Sequence, residues 1–192
     1  MPNSPSSLKL RDRLLATARE VTTATGWASV TMSRVATLAG VSRQTVYNLF
    51  GDKRQLAEAL VMAELLRFMD IVDEAFTPLP ARLRDGVKAA GQGCLEFAEA
   101  SPLVREIVGG THGLQSELLS LITTDSTLLR QTAAERLFTY SSTYDLSMTE
   151  ENLRSLCDMA VRLTLSMIQS PDGTADEMSD RIAWFAERVS AN

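Results

Sequence analysis

Apolar residues recur every three or four positions along nearly the whole chain, and this spacing restricts the fold to packed helices. In the first segment, for example, Leu10, Leu14 and Ala18 fall on one helical face. No segment shows a convincing alternation of apolar and polar residues, the pattern of a half-buried strand. Glycines, prolines and capping residues separate the periodic segments. The sequence therefore predicts an all-α fold of about nine to ten helices.

Capping residues predict where several helices begin. Thr31 suits the N-cap of a short helix that ends near Leu38, and Ser42 suits that of a second short helix through Leu49. Three capping boxes are predicted further along the chain: Asp52 with Gln55, Ser147 with Glu150, and Thr174 with Glu177. The polar run 123–125 predicts a joint between two helices, over 114–122 and 126–140.

The composition is that of a globular protein. Of the 192 residues, 45% are hydrophobic and 22% are charged. No apolar run approaches the roughly 20 residues that span a bilayer, and the N-terminus lacks the pattern of a signal peptide. We therefore expect a cytoplasmic protein with no membrane partner.

The cysteines and the single histidine give little support to an enzyme. Cys94 and Cys157 are far apart and have no metal-ligand spacing, so we interpret both as buried thiols. His112 is the only histidine, and no paired-carboxylate or phosphate-loop signature occurs. No cofactor or metal is expected, and a helical enzyme is the least favoured of three hypotheses.

Charge is distributed unevenly along the chain. The net charge of −5 alone argues against a nucleic-acid partner. Residues 1–54, however, contain eight basic and three acidic side chains, whereas the remainder contains 11 basic and 21 acidic ones. A basic first quarter on an acidic body is typical of a DNA-binding head joined to a domain with another role.

The segment from 32 to 49 has the pattern of a helix-turn-helix. Two short helices that cross closely need a small contact residue, which Ala36 provides, and a turn that accepts positive φ, which Gly40 provides. The exposed face of the second helix is then polar and carries no acid: Arg43, Gln44, Thr45, Tyr47 and Asn48. Arginine suits guanine, and glutamine or asparagine suits adenine, in the major groove.

An ordinary helical hairpin, with its polar side merely facing water, is the alternative. The apolar spacing, the absence of acid on the exposed face and the basic flanks all favour DNA binding over it.

The stretch from Leu10 to Leu60 resembles the DNA-binding head of the TetR-type (tetracycline-repressor-like) transcription regulators. The specific portion runs from Ala39 to Lys53: Gly-Val-Ser, then Thr-hydrophobe-Tyr, then Phe and a Lys that opens the fourth helix. The resemblance implies a three-helix DNA-binding head over 1–54 and a larger helical ligand-binding and dimerisation domain over 55–192.

By position, the resemblance also implies DNA contacts. Arg43, Gln44 and Asn48 would face base edges or nearby backbone. Phosphate contacts are implied for the remaining polar positions of the head: Thr31, Ser33, Arg34, Thr45, Tyr47 and Lys53. Ser42, at the N-terminus of the second short helix, can also meet a phosphate. Many members carry His where this chain has Leu49, which we instead expect in the core of the head.

Residues 55–192, the body of the protein, contain few residue patterns that indicate a specific chemistry. Its aromatic residues are explained by a simple helical core, and the resemblance adds the alternative that some line a cavity for a lipophilic molecule. Candidate cavity residues are Phe68, Phe97, His112 and Phe138.

The last two predicted helices each carry an apolar stripe along one face. These stripes are explained either by packing within one subunit or, as the resemblance implies and we favour, by a four-helix bundle between the subunits of a homodimer. The candidate interface residues are Leu156, Met159, Leu163, Met167, Ile182, Phe185 and Val189.

The favoured hypothesis is a repressor that a small, lipophilic effector releases from its double-stranded DNA operator. A DNA-binding regulator controlled by a protein partner or by its abundance is the alternative.

Overall fold

The computed structural model describes residues 5–104 and 118–191, with the backbone alone for residue 5 and for 118–129. These parts of the chain form helices and contain no strand, in agreement with the predicted all-α class. The α-helices are α1 (Pro5–Thr25), α2 (Met32–Leu38), α3 (Arg43–Phe50), α4 (Lys53–Phe76), α5 (Leu83–Ala100), α6 (Leu118–Ser141), α7 (Glu150–Gln169) and α8 (Ala175–Ser190), and a 3-10 turn (Trp27–Ser29) follows α1.

The chain divides into two compact units. The head unit comprises the described parts of Met1–Glu64 and Pro102–Ile122, and the body unit comprises those of Leu65–Ser101 and Thr123–Asn192. The helix α4 contributes residues to both units. The predicted domain boundary, after residue 54, therefore lies ten residues before the division between the two units, which falls in α4 after Glu64. That the two predicted domains have separate functions stays a prediction.

The head unit is organised around one apolar core. Leu14 and Ala18 of α1, Val35 of α2 and Val46 of α3 are all fully buried. Trp27 of the 3-10 turn is 1% exposed and belongs to the same cluster. Burial of this apolar surface holds together helices of only seven and eight residues, which would not be stable alone.

The body unit has its own core. Among the described residues of this unit, the most extensive helix–helix contact joins α5 and α8, with Ile182 of α8 buried in the same cluster as Val87 of α5. Along this contact Arg84 pairs with Asp180 at 2.9 Å and with Glu187 at 2.7 Å. Apolar burial therefore drives the association of the two helices, and the partly exposed ion pairs add a smaller contribution.

Some predicted caps are confirmed and others are corrected. The capping box of Thr174 and Glu177 is present in full. Asp52 accepts a bond from the Gln55 N–H at 2.8 Å, but its own N–H bonds to the Phe50 carbonyl, so the predicted box does not form as a reciprocal pair.

The cap predicted at Ser147 is wrong, because Thr149 accepts from the Asn152 N–H at 3.2 Å and starts α7 at Glu150. Met148 and Leu153, on either side of this cap at the spacing of a hydrophobic staple, both lie in the body cluster. The acids Glu150 and Glu151 then fall in the first helical turn, where the helix dipole favours them.

The predicted joint at 123–125 is also wrong, because α6 runs unbroken from Leu118 to Ser141. Threonine and aspartate each cost at most about 0.7 kcal/mol in a helix interior, and a long helix continues through them because each further residue adds a backbone hydrogen bond. The part of the predicted 114–122 segment before Leu118 lies outside the described residues.

Candidate DNA-binding site

The turn between α2 and α3 has the geometry that its sequence predicts. Gly40 has φ of 67°, a left-handed conformation that costs glycine little and other residues more. The Val41 N–H then bonds to the Ala36 carbonyl at 3.0 Å, and the Ala36 side chain is 3% exposed. A small residue and a glycine thus let two short helices meet across a tight turn.

Side-chain caps start both helices of the motif. Thr31 accepts from the Arg34 N–H at 3.1 Å, and Ser42 accepts from the Thr45 N–H at 3.1 Å. The hydroxyls of Ser42 and Thr45 also lie 2.8 Å apart and share a hydrogen bond. The start of α3 therefore presents two hydroxyls and the positive end of a helix dipole, a combination that suits a phosphate.

The outer face of α3 carries two side-chain pairs, each four residues apart. Arg43 Nη2 donates to Tyr47 Oη at 3.1 Å, and Gln44 Nε2 donates to Asn48 Oδ1 at 2.9 Å. Arg43, Gln44 and Asn48 are exposed, whereas Tyr47 is half-buried against the head core. The structure thus brings the predicted base-reading residues together on one side of a short helix.

Arg34 and Ser33 lie exposed on α2. Arg34 Nη1 donates to Thr25 Oγ1 at 3.2 Å, so its guanidinium rests against the end of α1. Thr31 and Ser33 stand one residue before and one residue after the start of α2. All three remain predicted phosphate contacts.

Lys53 opens α4 and contacts a residue that sequence reasoning did not connect to it. Its Nζ lies 5.1 Å from the centroid of the buried Trp27 ring, within the range of a cation–π interaction. The ring comes from the 3-10 turn, 26 positions earlier, so no local spacing signals the pair. Leu49 is half-buried and packs against the head core, as predicted for a residue that does not contact DNA.

The arrangement has the chemistry of a major-groove reader. An α-helix fits the groove, and the exposed amide and guanidinium groups match the edges of adenine and guanine. The hydroxyls at the start of α3 and the Lys53 ammonium at the start of α4 are groups that suit phosphates. Phosphate contacts would position the helix, and base contacts would give sequence preference.

Three of the four candidate ligand residues lie in the body unit, and His112 lies outside the described residues. Phe68 and Phe97 meet edge to face with ring centroids 4.9 Å apart. Arg67 lies over the Phe97 ring at 4.7 Å. Phe138 belongs to a different group, beneath the Arg154 guanidinium at 3.8 Å in a groove along α6.

The candidate interface residues differ in burial. Leu156 and Ile182 are 4% and 1% exposed, so the core of the single chain already buries both. Met159 and Val189 are 44% and 40% exposed. The half-buried residues are Leu163, Met167 and Phe185.

Sequence reasoning missed Trp184, which is 53% exposed on α8 and has Arg188 over its ring at 6.0 Å. The sequence signal that would have identified it is a large aromatic residue that lies off the apolar face formed by Ile182, Phe185 and Val189.

The shifted pKa values of the body unit include those of both thiols and of Tyr140. Burial raises the pKa of Cys94 to about 12, and it also raises the pKa of Cys157. Burial is also the main cause of the raised pKa of Tyr140, whose hydroxyl donates to Asp73 at 3.0 Å. Both cysteines are buried free thiols, as predicted.

Within the described ranges, no group of three or more histidine, cysteine or acidic side chains is placed to hold a metal ion. In the same part of the chain, no helix is both long enough and apolar enough to cross a membrane.

The all-α fold and the polar outer face of α3 together define a helix-turn-helix DNA-binding protein. Sequence comparison extends the assignment to both units. Residues 14–60 match the profile described as "Bacterial regulatory proteins, tetR family". Residues 83–188, more than half of the chain, match "Bacterial Tetracyclin repressor, C-terminal domain".

Individual relatives agree with the profiles. The chain is 34% identical over 187 residues to the HTH-type transcriptional regulator AlkX of Mycobacterium tuberculosis (strain ATCC 25618 / H37Rv), covering 93% of this chain and 86% of that protein. It is similar to the crystal structure of the TetR family repressor AlkX from Dietzia sp. strain DQ12-45-1b, described as implicated in biodegradation of n-alkanes. That structure has 26% identity and a TM-score of 0.72, and the match covers 97% of this chain and 95% of that one.

A TetR-family transcriptional regulator from Pectobacterium atrosepticum shares the fold, with 18% identity, a TM-score of 0.69 and coverage of 97% and 95%. This chain belongs to the TetR family of transcriptional regulators. It is therefore a DNA-binding regulator and not an enzyme, as the sequence predicts.

Proposed function

We propose that this protein is a homodimeric repressor that inserts α3 into the major groove of its operator and leaves the DNA when a lipophilic effector binds the body unit. The exposed polar face of α3 is the observation that carries the proposal, because all five of its exposed or half-exposed polar side chains can hydrogen-bond and none is acidic. Such a protein acts where the chromosome is, in the cytoplasm.

The charge distribution supports DNA binding by the N-terminal part of the chain and a different role for the rest. The basic excess in residues 1–54 attracts phosphates, and the acidic excess in the rest of the chain repels them. DNA is then favoured at the head alone. In this proposal Arg43, Gln44 and Asn48 meet base edges, and Lys53 meets a phosphate beside α3.

A dimer follows from the small size of the reading element. One helix of eight residues buries too little surface for specific binding, whereas two heads can read half-sites about 34–36 Å apart or a multiple of that distance. We assign the dimer contact to the outer faces of α7 and α8. Their exposed apolar residues include Met159 and Val189, together with Trp184.

The proposed effector class rests on apolar chemistry and on one relative. Phe68 and Phe97 form an apolar contact in the body unit. Binding sites for lipophilic ligands are lined mainly by such apolar and aromatic side chains, and a few polar groups orient the ligand. The Dietzia repressor is described as implicated in biodegradation of n-alkanes. We therefore propose a straight-chain aliphatic compound, either an alkane or an oxidised derivative, as the effector.

Effector binding must favour the released state over the DNA-bound state, since a ligand shifts an equilibrium only through differential affinity. The helix α4 contributes residues to both units. We propose that the effector shifts α4 and changes the separation of the two heads. By reciprocity, operator DNA must weaken effector binding by the same factor.

The first test of this proposal is operator release. Fluorescence anisotropy of a labelled operator, first identified by selection with the full chain, would be followed during titration with straight-chain alkanes and the matching alcohols and carboxylic acids. The proposal expects release by members of this series, with a potency that depends on chain length. Phe97→Ala should raise the concentration needed for release, and Phe138→Ala, in a separate group of residues, is the matched control.

The effector proposal would be contradicted if the protein binds its operator tightly but no compound of the series releases it. In that case no compound should raise the melting temperature of the protein either. That result would favour the alternative regulator, controlled by a protein partner or by abundance. A protein that selects no operator at all would contradict the DNA-binding mode itself.

A further inference from the structure

Tyr47 contacts the guanidinium of Arg43 through both its hydroxyl and its ring. Its hydroxyl accepts from Arg43 Nη2 at 3.1 Å, and its ring centroid lies 5.2 Å from the Arg43 Cζ atom. The two residues stand four positions apart and therefore one turn apart on α3. Because Tyr47 is half-buried and packs against the head core, it is the fixed member of the pair, and the exposed Arg43 is the adjustable member.

Arginine at a reading position has a geometric problem. A bidentate bond to guanine requires the guanidinium plane and its two donors to be aligned with the base edge, but the side chain is long and loses much freedom when it is fixed. A contact that aligns the guanidinium before DNA arrives lowers this cost. The bond to Tyr47 uses one of five N–H donors, so enough donors remain for a base.

We infer that Tyr47 is a positioning residue that holds Arg43 for guanine recognition, so that its hydroxyl serves base specificity through Arg43. This inference rests on the proposed role of α3 as the reading helix. It assigns to Tyr47 a use that differs from the phosphate contact implied by family resemblance.

The second pair on the same face provides an internal comparison. Gln44 donates to Asn48 at 2.9 Å, at the same spacing, but neither residue has a ring and both are exposed. Neither member of that pair is therefore fixed by the core. The inference concerns Arg43 alone, and operator positions that other residues read serve as controls for it.

The test is a double-mutant cycle measured as base discrimination. Full-length wild type, Arg43→Ala, Tyr47→Phe and the double variant would be titrated against a selected operator and its single-base variants. The positions where Arg43→Ala loses discrimination define the base that Arg43 reads. Tyr47→Phe keeps the ring and removes only the hydroxyl, so its melting temperature should match wild type.

We expect Tyr47→Phe to lose about threefold to tenfold in discrimination at the position defined by Arg43, the range for loss of one hydrogen bond. It should leave discrimination at other positions unchanged and should have no further effect in the Arg43→Ala background. An equal loss of affinity on every operator variant, no loss at all, or a loss of which more than half persists without Arg43 would overturn the inference. Failure of wild type to select any operator would instead contradict the proposed function, so the two failures are distinguishable.

Discussion

The Arg19 guanidinium of α1 donates through Nε to the Glu64 carboxylate of α4 at 2.5 Å, and the Glu64 side chain is only 3% exposed. This ion pair joins α1 to the part of α4 that belongs to the head unit. A carboxylate at such a depth is stable only when charged or polar groups compensate it, so Arg19 stabilises the packing of α4 against α1.

Arg19→Ala should destabilise the protein by about 1–3 kcal/mol, because it removes a charged partner from a buried carboxylate. Chemical denaturation, with the midpoint and slope fitted together, measures the change. Arg54→Ala is the matched control, since Arg54 pairs with Glu58 at 3.1 Å on an exposed surface. Its cost should stay near or below about 0.5 kcal/mol. Equal losses in the two variants would contradict this account of Arg19.

Gly86→Ala should destabilise the body unit, although alanine is the better helix former by about 1 kcal/mol. A methyl group at this position would overlap the ring of Phe76, which is 1% exposed and stacked on Tyr140 at 5.0 Å. Overpacking of this kind costs about 1–3 kcal/mol. Thermal unfolding of Gly86→Ala, Phe76→Leu and the double variant would test it. The glycine substitution should cost less when leucine provides room, and a stabilised Gly86→Ala protein would show that the overlap is not real.

Acid should weaken the start of α8. The Thr174 N–H donates to Glu177 at 2.8 Å, and this bond is the main cause of a Glu177 pKa below its ordinary value of 4.5. A lowered pKa in the folded state gives stability that is fully present above the unfolded pKa and is lost as pH falls through the folded one.

The advantage of wild type over Glu177→Gln should therefore be greatest near neutral pH and should shrink below about pH 4.5. Denaturation curves at a series of pH values measure it. Glu99→Gln, at an exposed position on α5, is the comparison variant. A difference between wild type and Glu177→Gln that grows toward acid pH would refute the assignment.

Neither cysteine should react with thiol reagents in the native protein. The thiolate is the reactive form, and burial raises the pKa of Cys94 to about 12 and also raises that of Cys157. Labelling with an aromatic disulfide at pH 8 should be slow in buffer and rapid in denaturant. Rapid modification of the native protein would mean that at least one thiol is accessible.

Local signals in the sequence were sufficient for the head. The small residue at Ala36, the glycine at Gly40 and the caps at Thr31 and Ser42 each act within a few positions, and each has the predicted geometry. The pairs Lys53 with Trp27 and Arg19 with Glu64 could not be predicted, because they span 26 and 45 positions and depend on how helices pack.

The body shows where local reasoning fails. Threonine and aspartate at 123–125 favour a break by propensity, yet the hydrogen-bond ladder of a long helix passes through them. Leu66 fits the apolar spacing of α4 but is 56% exposed. Periodicity identifies a face, and the tertiary packing decides how much of that face is covered.

The contribution of Lys53 to DNA binding has a distinct signature. Lys53→Ala should weaken binding to specific and non-specific duplexes alike and should reduce the slope of log affinity against log salt concentration by about one, because one phosphate contact is lost. Titrations at several salt concentrations measure the slope. Lys88→Ala is the control, since Lys88 lies in the body unit and pairs with Asp176 at 3.0 Å. An unchanged slope for Lys53→Ala would remove this residue from the proposed phosphate contacts.

The central claim, that α3 reads the operator, is tested most directly by selection of DNA from a random duplex library. Wild type should enrich a two-fold symmetric sequence. The double variant Arg43→Ala/Asn48→Ala should keep the wild-type melting temperature, because both side chains are exposed, and should lose that enrichment. Enrichment of the same sequence by both proteins would contradict the claim.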